Sequence, residues 1–373
     1  MARSDMAPPF YLVRTGRTLD VFGDPVEDAR ILDVPLGAWQ RTLAARAGLH
    51  LETIERRDLG RIEAPCLVMD DDTFTTERFF RRFLAAVEER AGTNPAINLH
   101  AGLATNPPLA RVVRTHAARA VPGGFVYPLR YLGAARDPHS EAVLLTMDDL
   151  AWSALRLPRA LALGASHPLC QSATAILTVR SPLHVYQANM HRLVEIVGEL
   201  FAEGGTSLHA PNRIAPSAWV HPTAHLEGCV VGERAAVGAH AVCTHSVIGA
   251  RAQISEQAML YRSVIGDGTS IAHQHRIFHA VTYPECFLIS GALQWSIIGY
   301  ASAIFAAWIT DLRMDGGTIR TMIGGRLVDS GMSFLGVQLG HRARITAGVV
   351  TAPGRVVPND ALIHTPPSVL FTG

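Results

Sequence analysis

Aliphatic residues recur at a fixed interval along the C-terminal part of the chain. Ile214, Val220 and Leu226 form a first set. Seventeen positions on stand Val231, Val237 and Cys243, then Ile248, Ile254 and Leu260, then Ile265, Ile271 and Ile277. Such a pattern predicts a triangular coil with three short strands per turn, each placing one aliphatic side chain inside. One coil cannot bury its own interior, so coils must stack, about 4.8 Å apart, through backbone hydrogen bonds. The spacing of about six residues per side is that of hexapeptide repeats and predicts a left-handed parallel β-helix. Glycine follows several inward positions (Gly232, Gly238, Gly249, Gly266), and is expected to permit the tight corners.

The pattern loosens over Phe278–Trp295 and returns at Ser296-Ile297-Ile298-Gly299. An excursion rich in Gly and Arg, Asp311–Met332, interrupts it before Leu339-Gly340, Ile345 and Val356 resume the coil, with Pro358 closing the stack. The first 200 residues alternate instead between buried apolar runs and amphipathic stretches. Phe10–Val13, Ala64–Met69 and Ala173–Val179 read as strands. Leu36–Gly48, Thr75–Arg90 (with Thr75 or Thr76 as N-cap) and His184–Ala202 read as helices. Alternation of this kind predicts a three-layer α/β domain over residues 1–203. Glu203-Gly204-Gly205-Thr206 is the expected hinge into an all-β domain over residues 204–373.

Composition narrows the chemistry. The net charge of +1 provides no footprint for nucleic acid or an anionic membrane. All 33 basic residues are arginine, so no step can use a lysine amine. The five cysteines form no C-x-x-C pair, and no apolar run or leader pattern marks a membrane or secreted protein, so a reducing, cytoplasmic setting is expected.

Four segments carry a family resemblance. Thr310–Gly336 (TDLRMDGGTIRTMIGGRLVDSGMSFLG) and Leu339–Pro358 (LGHRARITAGVVTAPGRVVP) resemble the bifunctional sugar-1-phosphate nucleotidylyltransferase/acetyltransferases of the N-acetylglucosamine-1-phosphate uridyltransferase type. Ser181–Asn189 (SPLHVYQAN) is similar to the segment that joins that family's two halves, and Cys66–Phe74 (CLVMDDDTF) to its metal-binding strand. The resemblance implies a nucleotide-diphospho-sugar transferase-like α/β fold, a homotrimeric β-helix, Mg2+-dependent nucleotidyl transfer and N-acetylation from acetyl-CoA or another acyl-CoA. It places Asp72 at the metal-ligand position, Thr178 where a second acidic ligand stands, Ile289 at the acetyl-transfer histidine, Ala292 at its tyrosine neighbour, Gly317 and Arg320 at lysines, and Asp311 at an asparagine.

The residues themselves offer candidates. Asp70 and Asp72 end an apolar strand, where α/β sheets bind ligands, and acidic oxygens suit Mg2+. Arg14 and Arg17 follow the first strand and are candidates for phosphate. In the seventeen-residue register Gly228, His245, Arg262 and His279 share one outward column, and His273 and His275 lie close by. These four histidines and Asp311 are the catalytic candidates; Arg262, Arg313 and Arg320 join the substrate-binding ones. Three functions stay open: a diverged nucleotidyl- or acyltransferase acting on a sugar phosphate, nucleotide or acyl-CoA; a non-catalytic trimeric scaffold or regulatory binder; and a metal-dependent lyase or hydratase using the β-helix histidines.

Overall fold

The computed structural model describes residues 8–134, 140–147, 155–156, 166–167, 171–203, 211–289 and 291–365. Its contacts separate two compact units. The first comprises Met1–Leu19, Asp24–Trp152 and Cys170–Arg180; the second comprises Asp20–Gly23, Ser153–Leu169 and everything from Ser181. The hinge expected at Gly204–Thr206 lies outside the described residues.

In the first unit a mixed sheet runs in the order Ser140–Leu145, Asn98–Ala104, Gly124–Leu132, Cys66–Asp70, Phe10–Arg14, Leu51–Glu55. Gly124–Leu132 is antiparallel to both neighbours, and the other strands pair in parallel. Phe10, Leu12, Leu67 and Met69 are fully buried. Phe10 stacks at 5.6 Å on Phe80 of the helix Glu77–Thr93, which fixes that helix on one face of the sheet. The hydroxyl of Thr76 caps the helix by accepting from the Phe79 N–H at 3.4 Å. Helix Leu36–Arg46 is tied to the sheet's C-terminal edge, where Gln40 donates to the carbonyls of Asp71 and Thr73 at 3.0 and 2.9 Å.

The second unit is a three-sided parallel β-helix. Two eight-stranded sheets start at Arg213–Ile214 and Trp219–Val220. The third side has five strands from His225–Glu227 and continues as the pair Trp308–Ile309 with Val350–Thr351. Strand partners sit seventeen residues apart, as in Val231↔Ile248↔Ile265. The repeating aliphatic residues form one continuous core from Leu226 to Val357. Helix Pro182–Glu203 also belongs to this unit.

Two local expectations need correction, and a third, the excursion, is sharpened. The coil does not open between Phe278 and Trp295. That turn is one residue shorter, pairing Ile277 with Leu293, and Thr282 takes an inward place otherwise aliphatic, which hid the pattern. The glycines after the inward positions do not make the corners. A Cβ on Gly232 would lie 2.6 Å from the Ala250 nitrogen of the next coil, and one on Gly249 2.6 Å from the Asp267 nitrogen. These glycines permit stacking. Left-handed backbone at the corners falls mostly on larger residues: Gly228, His245, Arg262, His279 and Trp295 have φ between 46° and 60° in one column. The excursion leaves the solenoid entirely. Ile297–Ile298 pairs directly with Gln338–Leu339, and the ejected segment folds into the hairpin Arg320–Ile323 with Arg326–Asp329.

Candidate functional site

In the α/β unit the candidate residues gather at the end of Cys66–Asp70. The Asp71 carboxylate accepts from the Thr15 amide at 3.1 Å and its hydroxyl at 2.6 Å, holding the turn after the first strand against the sheet. Asp72 is wholly buried. Its Oδ2 receives Arg17 at 2.5 Å and Arg180 at 3.0 Å, while Oδ1 is buried with no hydrogen-bond partner. Asp70 lies 3.9 Å from Arg56 and 4.0 Å from Arg130. Burial, and then the Asp72 charge, raises the Asp70 carboxyl above its ordinary range; burial does the same for Asp71. Arg14 points elsewhere and pairs with Glu55 at 3.7 Å.

Sequence spacing missed Arg180, which reaches Asp72 because its strand, Ile176–Thr178, crosses antiparallel to Thr73–Thr75. Thr178 takes no ligand role toward Asp72; its hydroxyl donates to the His116 carbonyl at 2.5 Å.

On the β-helix the predicted column is real in position and different in character. Phe201, His245, Tyr261, His279, Trp295 and Phe334 form a continuous aromatic rib, with successive ring centroids 5.7, 6.2, 5.4, 4.1 and 5.3 Å apart. His279 lies flat on Trp295, only 7° from coplanar. Burial first and the Arg262 charge second push its pKa down to about 3. It is a neutral stacking element at physiological pH, too weak a base for the catalytic part expected of it. His245 is lowered by the same two causes. Arg262 sits over the Tyr261 ring at 5.5 Å.

The other two histidines are not part of this rib. His273 is exposed and pairs with Glu256 at 2.7 Å. His275 is 2% exposed, and neither ring nitrogen has a hydrogen-bond partner. It occupies the small inward position two before Ile277 that Ala241 and Ala258 fill in the preceding coils. Burial lowers its pKa to about 4. Among the described residues no group of three or more His, Cys, Asp or Glu is placed to hold a metal.

Asp311 stands where the chain leaves the solenoid. Its carbonyl accepts from the Leu335 N–H at 2.9 Å, and Leu312 bridges to Phe334 of the rib. Burial raises its carboxyl to about 6. The buried Tyr186 hydroxyl has no hydrogen-bond partner, and the Asp311 charge adds to burial in raising it well above the usual phenol range. Neither the tyrosine nor its nearness to Asp311 was readable, since Tyr186 lies on the helix Pro182–Glu203, far away in sequence.

Of the excursion arginines, Arg313 pairs with Asp315. Arg320 is exposed on the hairpin opposite Asp329 and donates to the Leu327 carbonyl at 3.2 Å, while Met322 pairs with Leu327 and Ile323 with Arg326. No described helix is long and apolar enough to cross a membrane.

No family model matches the chain, and no curated protein sequence matches it. Solved structures give partial matches. A hexapeptide transferase family protein from Anaplasma phagocytophilum aligns at 13% identity over 41% of this chain and 73% of its own, with a TM-score of 0.26. A mutant of GDP-perosamine N-acetyl transferase from Caulobacter crescentus, solved with CoA and GDP-perosamine, aligns at 18% identity over 46% of this chain and 60% of its own, with a TM-score of 0.18.

Proposed function

We propose that the β-helix unit is an acyltransferase that uses Asp311 as its general base. The observation that carries this reading is the environment of one carboxyl. Asp311 is driven by burial to a pKa of about 6, beside a buried phenol with an unfilled hydrogen-bonding position. A base poised near neutral pH is what proton removal from an attacking amine requires, and it contributes roughly 10²–10⁴-fold. In the step proposed, the acceptor amine attacks the thioester carbonyl and loses a proton to the Asp311 carboxylate. The carbon–sulfur bond then breaks, and the proton leaves with the thiol. One face of the hairpin suits an acyl-CoA donor in chemistry: Met322 and Leu327 offer apolar surface and Arg320, on the same face, a cation for phosphate. No step is routed through Mg2+ or through the histidines.

The test is release of CoA thiol from acetyl-CoA in the presence of a panel of amino-sugar phosphates. The expected result is turnover that rises with pH through about 6 and falls about 100-fold or more in Asp311→Asn. No thiol release with any amine would sink the reading and leave the non-catalytic scaffold. That second reading has its own support, because burial lowers His275 and His279 far below the ordinary histidine range and, among the described residues, no three His, Cys, Asp or Glu are placed to hold a metal.

A further inference from the structure

We infer that in the α/β unit two arginines stand where the family resemblance implies Mg2+, and that this site binds phosphate without metal. This goes beyond the acyl-transfer reading, which concerns the other unit.

The residues do not fit magnesium. That ion demands near-octahedral oxygen ligands at about 2.1 Å. Of the two Asp72 oxygens, Oδ2 already receives two guanidiniums, at 2.5 and 3.0 Å, and Oδ1 is buried away from solvent. A third cation in contact with the same carboxylate would meet like charge from both. Thr178, where a second carboxylate is implied, spends its proton on a backbone carbonyl. Two guanidiniums supply the same charge of +2 that the ion would bring.

The arrangement is built to hold those charges in place. Asp72 is fixed from below, since its carbonyl accepts from the Val179 N–H at 2.7 Å, which also sets the strand leading to Arg180. Thr15, bound to Asp71, fixes the turn leading to Arg17. The arginines themselves face outward, with side chains 37% and 41% exposed. Arg56 and Arg130 lie 3.9 and 4.0 Å from Asp70 and add two guanidiniums to the same strand end. Arg130 also keeps a buried Nε without a hydrogen-bond partner. A guanidinium fork held at the C-terminal end of a central strand is chemistry for a phosphate or pyrophosphate group.

The test is calorimetric titration of the full-length protein with inorganic pyrophosphate, once in EDTA and once in excess magnesium chloride. Magnesium lowers the charge of the ligand, so binding in EDTA is expected to be at least as tight. Arg17→Ala weakens it about tenfold or more, and Arg17→Lys, which keeps charge and loses the fork, weakens it less. Asp72→Asn, which loosens the anchor of both guanidiniums, weakens binding in EDTA and in magnesium alike. Unchanged urea midpoints show that the variants fold. Binding that needs magnesium would overturn the inference, as would the absence of heat in both buffers.

Discussion

His275 gives the sharpest stability prediction. An imidazole 2% exposed, with both nitrogens unpartnered, fills an inward position that alanine fills in neighbouring coils. Its pKa falls from 6.5 to about 4 on folding. The unfolded chain therefore binds the proton first. Stability from this group is complete above pH 6.5 and is lost as pH falls toward 4. Between about pH 8 and pH 5 the loss is about 2 kcal/mol, one and a half units at about 1.4 kcal/mol each.

In His275→Ala that component vanishes. At the higher pH the replacement relieves two unsatisfied nitrogens, at about 1–3 kcal/mol each. It also leaves a ring-sized void of roughly 65 Å³, which costs about 1.6 kcal/mol. The two effects oppose, and the variant is expected at or slightly above wild-type stability there. Urea unfolding of both proteins, followed by tryptophan fluorescence at the two pH values, isolates the effect as a difference of differences. Equal pH dependence in the two proteins, within about 0.5 kcal/mol, would refute the argument that this imidazole is held neutral inside the solenoid.

Other outcomes follow from the same geometry. Trp295→Ala removes the ring on which His279 lies and should cost about 3–5 kcal/mol; in NMR titration the His279 pKa should climb from about 3 toward its ordinary value as water reaches it. Gly249→Ala places a Cβ 2.6 Å from the next coil's backbone and should lower the urea midpoint by the equivalent of about 1–3 kcal/mol. Trp308 and Val350, paired on one face and 70% and 66% exposed, form an exposed apolar surface that the homotrimer implied by the family resemblance would cover. Light scattering should accordingly give three times the 40.2 kDa chain mass, reduced by Trp308→Glu; a wild-type monomer would contradict this.

The candidate site was legible only where it coincided with the repeat. The register placed His245, Arg262 and His279 in one column because neighbouring coils superimpose residue on residue. It could not say that Trp295 and Phe334 would complete an aromatic rib and bury His279, since a shortened turn and the ejected hairpin break the count there. Asp72 was identified as the acidic residue of interest, but its guanidinium partners come from two turns more than a hundred residues apart.

The sequence by itself determined the solenoid. Its inward aliphatics repeat locally, each coil buries its face only against the next, and the period alone therefore fixes the pairing. In the first unit the strands Phe10–Arg14 and Cys66–Asp70 and the helices Leu36–Arg46 and Glu77–Thr93 followed from periodicity, whereas the strands Leu51–Glu55, Asn98–Ala104, Gly124–Leu132 and Ser140–Leu145 did not. The tertiary structure alone decided the chemistry: which carboxylate loses water, which imidazole loses its partners, which arginines arrive at Asp72. Ionisation and ion pairing depend on groups brought together across long stretches of chain, and no interval along the sequence encodes that distance.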